Sequence, residues 1–226
     1  MNFKHIVWDW NGTLLNDAEA SCKAASDLFE KRNLGSFSLD VYRDKIVYPV
    51  INVYIEAGLD FSKETYQDVC DEYMANYLNN SHMISLHEDA VTVLELFKNK
   101  GLKQHIVSAS DIGVLIKQIE SYGIMPYFVN ILGQDNNRGD SKTRLAEKLV
   151  KMVECHPHEM LFIGDTIHDY EVAKEAGMRC CLVSNGHCSE KRLKATGAPV
   201  FRNLAELAEN FVHLQKCFYG GKNEVH

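Results

Sequence analysis

The stretch Phe3-Lys4-His5-Ile6-Val7-Trp8-Asp9-Trp10-Asn11-Gly12-Thr13 decides the fold. A short β-branched and aromatic run meets an acid and then a glycine turn, so a strand feeds directly into a loop. From Asn16 the period changes: Ala20, Ala24 and Leu28, with Cys22, Ala25 and Phe29, recur at helical spacing. Further helices are signalled by Ser38 as an N-cap, Pro49 at a first helical position, and Ser62 before a long segment to about Leu78. No strand signal interrupts residues 17–85, which read as an all-helical insert.

After about Leu86 strands and helices alternate. A helix from about Glu88 to Lys100 is stopped by Gly101, and the apolar strand Gln104 to Val107 ends at Ser108. A helix from Asp111 to Tyr122 closes at Gly123, and Tyr127 to Leu132 is the next strand. A helix from Ser141 to Val153 precedes the strand Met160 to Ile163, and a helix to Ala176 precedes the strand Arg179 to Val183. This alternation predicts an α/β, Rossmann-like, doubly wound parallel sheet: a core of residues 1–16 and 86–226 carrying a helical cap of residues 17–85. Ligands of such sheets bind outside the carboxyl ends of the strands, so Asp9, Ser108 and Asp165 are expected to converge at one edge. The tail from Tyr219 reads as loose.

The 226 residues suffice for one large domain with an insert, and 46% hydrophobic with 24% charged residues is an ordinary globular composition. Lys+Arg 24 against Asp+Glu 31 gives a net charge of −7 without a basic run, which argues against a nucleic-acid partner. Seven cysteines, an odd number without metal-site spacing, suit reduced thiols. The start lacks the apolar core of a signal peptide, and no stretch reaches membrane-spanning length. A cytoplasmic protein with no membrane partner is expected, as a monomer or homodimer.

Asp9 stands where a carboxylate can attack or bind a metal. Gly164-Asp165-Thr166-Ile167-His168-Asp169 adds two acids at another strand end. Carboxylates gathered there repel unless a cation lies between them, and oxygen ligands favour a hard ion such as Mg²⁺. Each acid alone also reads as a turn or helix-capping residue. Ser108 could donate its hydroxyl, and Lys142, in Gly139-Asp140-Ser141-Lys142, could bring a positive charge to a phosphoryl group. His156, His158, His168 and His187 offer soft-metal ligands, but their spacing closes no zinc site.

The set resembles the haloacid dehalogenase superfamily, in order along the chain: Asp9-Trp10-Asn11-Gly12-Thr13, Ser108, Lys142, and Asp165 to Asp169. The insert lies where phosphoglycolate phosphatase-like members carry a helical cap. The resemblance implies a phosphatase of a small phosphorylated metabolite, a phosphoglycolate-like phosphomonoester, with Asp9 as the nucleophile that becomes an aspartyl-phosphate. It implies Mg²⁺ held by Asp9, the backbone carbonyl of Asn11, Asp165 and Asp169. Ser108, Lys142 and backbone amides near Trp10, Asn11 and Ala109 would hold the phosphoryl oxygens, with Lys142 also pairing with Asp9.

Two positions depart from the family pattern. The acid/base aspartate usual two residues after the nucleophile is Asn11, which cannot shuttle a proton, and Ala109 stands where relatives often carry a polar residue. A weakened phosphatase and a low-activity or inactive phosphate-binding protein on the same scaffold both follow from Asn11. His168 is a candidate substitute proton shuttle. Arg43, Lys45 and Tyr48 are the candidate specificity residues of the cap.

Overall fold

The structure, a computed structural model, describes residues 2–135 and 142–220. In chain order it runs β1 (His5–Trp8), β2 (Leu15–Asn16), α1 (Ala18–Glu30), α2 (Leu39–Lys45), α3 (Ile51–Glu56), α4 (Tyr66–Asn79), β3 (Ser85–Leu86), α5 (Ala90–Asn99), β4 (Lys103–Asp111) and α6 (Ile112–Ser121). It continues with β5 (Phe128–Gln134), α7 (Thr143–Met152), β6 (Met160–Gly164), α8 (Ile167–Glu175), β7 (Arg179–Val183), α9 (Glu190–Lys194), β8 (Val200–Phe201) and α10 (Leu204–Tyr219).

Six strands form one sheet in the order β5-β4-β1-β6-β7-β8, and every pairing is parallel. β1 sits between β4 and β6, so the connections lead away from it on both sides, and its carboxyl end is the switch point where a ligand crevice opens. Buried strands alternate their side chains between two apolar layers. Ile6, Trp8, Ile106 and Ile163 pack against α5, α6 and α10, while Val7, Val107, Phe162 and Leu182 pack against α7, α8 and α9. The doubly wound parallel core expected from the alternation is the observed one.

Helices α1 to α4 form the inserted cap, with apolar clusters of their own: Leu28, Phe29, Tyr54 and Val69 in one, Tyr42 and Ile46 in another. Arg32 fixes the cap internally by bridging Glu64 and Glu72. Three readings of the insert need correction. Ser38 does cap α2, but Pro49 lies before α3, whose N-cap is Val50, and the Tyr48-Pro49 peptide is cis. Ser62 belongs to a turn in which it bonds Asp60, whereas α4 begins at Thr65 with a capping box closed by Asp68. The ends of the insert are joined by a two-stranded antiparallel pair, β2 with β3, too short to carry a periodic signal.

In the core, β4 continues past Ser108 to Asp111 through a register shift, so Ser108 lies inside a strand instead of ending one. β8 and α10 extend the fold beyond the last strand expected from the sequence. Ser141, the expected start of α7, lies outside the described residues, as do Gly139, Asp140 and the tail beyond Gly220. Among the described residues no helix is long and apolar enough to cross a membrane.

Candidate active site

Asp9 follows β1 directly, with its backbone N–H donating to the Ile163 carbonyl at 2.9 Å, so β6 holds it at the sheet edge. Asp165 follows β6 in the same way, and Asp169 lies in the first turn of α8. Carboxylate oxygens of all three lie within 4.8 Å of one another, and all three residues are buried. Thr13 joins two of them: its hydroxyl donates to Asp165 Oδ1 at 2.9 Å and reaches Asp9 Oδ2 at 3.4 Å. Asp169 Oδ2 accepts from the amides of Asp165 and Thr166 and from the Thr166 hydroxyl, a capping box that turns Oδ1 toward Lys142.

Lys142, at the N-cap of α7, is buried and places Nζ 2.6 Å from Asp9 Oδ1 while pairing with Asp169. The cluster therefore holds three buried carboxylates against one ammonium. Burial pushes Asp9 well above the usual carboxylate range, with Asp169 and Asp165 adding to the rise and Lys142 opposing it. Burial would raise Asp169 too, but Lys142 and the Thr166 donors outweigh it and hold Asp169 low. Burial likewise raises Asp165, against the pull of His187. Negative charge in excess of its partners, carried entirely by oxygen donors, fits a hard divalent cation, and the cluster is a Mg²⁺ site by that chemistry.

Glycines let the backbone close on these acids. A Cβ at Gly12, whose φ is +76°, would overlap Asp165 Oδ2 and the His187 ring, and one at Gly186 would overlap the same carboxylate. His187 donates its backbone N–H to Asp165 Oδ2 at 2.6 Å, and its ring pairs with Asp17 Oδ1 at 3.1 Å and with the Tyr42 hydroxyl at 3.0 Å. Burial disfavours the charged imidazole, but Asp17 outweighs it and raises His187 from 6.5 to about 9. Asp17 is in turn held low by His187, against burial.

Asn11 is fixed on both ends of its amide. Nδ2 donates to Asp17 Oδ2 at 2.7 Å, and Oδ1 accepts from the Ser110 hydroxyl at 2.6 Å. Ser108 is buried, accepts from the Ser110 amide, and lines the same cavity as Ala109 and Lys142. Trp10 is wholly buried beside the site, its indole N–H donating to Gln118 at 2.8 Å.

The cavity, about 530 Å³, opens from Asp9 and extends between the core edge and the cap. Lys45 and Tyr48 line it, and the Tyr48 ring stacks on His168 with centroids 5.3 Å apart. His168 is lowered from its ordinary range by burial and by Lys142. The structure gives Arg43 another place: Nε and Nη2 donate to the carbonyls of Gly186 and Asn185, and its own carbonyl accepts from Arg192. It fastens the cap to the core loop.

Sequence reasoning missed Asp17, Thr13, Ser110 and the partners of His187. The spacing Asp9, Thr13, Asp17 was visible, but nothing in it distinguishes a buried network from a helix start.

Residues 6–183 match the family described as haloacid dehalogenase-like hydrolase. The chain is 25% identical over 219 residues to a phosphoglycolate phosphatase of Vibrio parahaemolyticus, covering 92% of this chain and 96% of that one. It is 24% identical over 194 residues to the pyrophosphatase PpaX of Bacillus cereus, covering 81% and 84%. A haloacid dehalogenase-like hydrolase of Streptococcus pneumoniae superposes with a TM-score of 0.77 at 18% identity, covering 92% and 98%. A hydrolase of Pseudomonas syringae gives 0.74 at 19%, covering 93% and 98%. These two likenesses are of fold.

Proposed function

Because this chain belongs to the haloacid dehalogenase-like hydrolase family, we propose that it is a phosphomonoesterase that works through an aspartyl-phosphate on Asp9. The observation that carries this reading is the buried Asp9, Asp165 and Asp169 cluster with Lys142 bound to its first member. Asp9, Asp165, Asp169 and the backbone carbonyl of Asn11 would hold Mg²⁺, which supplies positive charge against the repulsion between nucleophile and phosphate.

Asp9 attacks phosphorus, the bond to the leaving alcohol breaks, and an aspartyl-phosphate remains. Water then attacks the same phosphorus, releasing inorganic phosphate and restoring the carboxylate. Lys142 keeps Asp9 oriented and favours its charged form, then faces the phosphoryl oxygens with Ser108 and the amides near Trp10, Asn11 and Ala109. The leaving alcohol must take its proton from a group other than Asn11, whose amide nitrogen is already committed to Asp17. Turnover of alcohols that are poor leaving groups is accordingly slow. That fixed amide also favours the second reading, a phosphate-binding protein with little turnover.

The names of the relatives include phosphoglycolate phosphatase, pyrophosphatase and enolase-phosphatase, so a phosphoglycolate-like ester is one substrate class among several. The pairing of β2 with β3 supports division of the chain into a core of residues 1–16 and 86–226 and a cap of residues 17–85. The test is turnover of phosphate esters with Mg²⁺, after chelation, and by Asp9→Ala. Release of phosphate should stop with chelator and fall by more than about 10³-fold in the variant. Phosphate release that persists in Asp9→Ala would end the reading.

A further inference from the structure

The leaving-group end of the cavity does not suit a small acid. Val50, Tyr66 and Tyr73 pack against the cap's own apolar cluster and also line the cavity, so its far end borders the interior of the cap. Hydroxyls along the way already have partners within the protein: Tyr42 with His187, and Tyr77 with Asp17.

Charge is distributed the same way. Among the described residues that line the cavity, the lysine and arginine side chains are Lys142 and Lys45. Lys142 is committed to Asp9 and Asp169 at the phosphate end, and Lys45 is exposed. Arg43 points to the core loop. His187 also lines the cavity and is raised to about 9, but its ring is taken up by Asp17 and the Tyr42 hydroxyl, so a leaving group with its own carboxylate would meet no buried cation without a partner among the described lining residues. Size points the same way: about 530 Å³ is the space of a drug-sized ligand, many times the roughly 30 Å³ share of one water molecule.

Resting on the phosphomonoesterase reading, we propose that the substrate is the phosphate ester of a bulky, uncharged, largely apolar alcohol, whose body lies against Val53, Tyr66 and Tyr73 while its phosphate meets Asp9. Burial of apolar surface and ring stacking supply the recognition, and the charged end fixes the orientation.

The test offers the full chain with Mg²⁺ three substrates: the esters 1-naphthyl phosphate and phosphoglycolate, and the mixed anhydride acetyl phosphate. KM for 1-naphthyl phosphate should lie at least tenfold below that for phosphoglycolate. Val53→Trp, which fills the apolar end, should lower kcat/KM for 1-naphthyl phosphate at least tenfold more than for acetyl phosphate. Cys70→Phe replaces it should that variant fail to fold by thermal melting. A phosphoglycolate KM equal to or below that of 1-naphthyl phosphate overturns the inference, as does a filled cavity that affects both substrates alike. If none of the three is hydrolysed, the phosphatase reading fails separately, and calorimetry decides the cavity. Tighter binding of 1-naphthyl phosphate than of phosphoglycolate then supports the inference, and equal or weaker binding overturns it.

Discussion

The carboxyl edge of the sheet and the interior of the cap border one cavity, yet they are built on opposite terms. At the edge, Asp9, Asp165, Asp169 and Lys142 are buried charges held by hydrogen bonds and by glycines that allow close approach. In the cap, the same cavity is lined mainly by aromatic and apolar side chains, Val53, Tyr66 and Tyr73 among them. Buried charge without its full complement of partners is costly, so the edge is primed for a cation and an anion. Unfilled apolar surface is costly in a different way, and it is relieved by an apolar occupant. On the proposed reading, chemistry falls to the edge and selectivity to the cap.

The two regions touch at Asp17 and His187, where the largest effect on stability is expected. Asp17 begins the insert, His187 belongs to a core loop, and Tyr42 of the cap completes the set. Asp17→Asn leaves the imidazole buried without its counter-charge, and a loss of about 3–5 kcal/mol in urea unfolding is expected. The pH dependence has a definite sign. His187 is raised from 6.5 to about 9, so its contribution is complete below pH 6.5 and fades as pH rises through about 9. Wild-type stability should fall between pH 7 and 10, and Asp17→Asn should lose most of that slope. An unchanged slope would show that edge and cap are not coupled there.

Lys142→Met tests the edge alone. Removing a donor aimed at developing charge costs about 10²–10³-fold in kcat, and the expected drop in kcat/KM should be similar for every ester, whatever its leaving group. A drop confined to one ester would move Lys142 from the phosphate end to recognition.

Asn11→Asp sharpens the division further. Restoring an acid at this position should raise kcat by about 10²-fold, the lower end of what acid–base catalysis contributes, and most for alkyl esters. The gain is limited by Asp17, whose carboxylate would then face another where the Asn11 amide now donates. Turnover by the variant alone would favour the binding-protein reading.

The smallest effect is expected from Arg32→Met. Its guanidinium bridges Glu64 and Glu72 within the cap, 2.7 Å from Glu64 and 2.8 Å from Glu72. Loss of these part-buried, charge-assisted bonds should cost about 1.5–3 kcal/mol in unfolding, while kcat for acetyl phosphate changes little. A large fall in that kcat would mean that cap rigidity governs the chemistry.

The core was legible because its signals are local and strong. β1, β6 and β7 are short apolar runs, and Gly101, Gly123 and Gly177 close helices at positive φ. The cap was legible as helical but not in its boundaries. Ser62 carries a start signal that Thr65 supersedes by closing a capping box with Asp68, whereas α3 starts after Pro49, with Val50 as its N-cap and without any side-chain cap, so no local residue marks its start. Arg43 shows the same limit: its charge was evident, but its engagement with Asn185 and Gly186 depends on a loop 142 and 143 residues away.

Order along the chain determined the alternating core, the helical insert and the acids that follow β1 and β6, because period, turn residues and strand termini are properties of neighbours. Only the tertiary structure decided that Asp17 pairs with His187, that Asn11 is fixed between Asp17 and Ser110, and that a large cavity lies between the core edge and the cap. Those facts depend on side chains far apart in sequence sharing a buried volume, where desolvation and packing act on all of them at once.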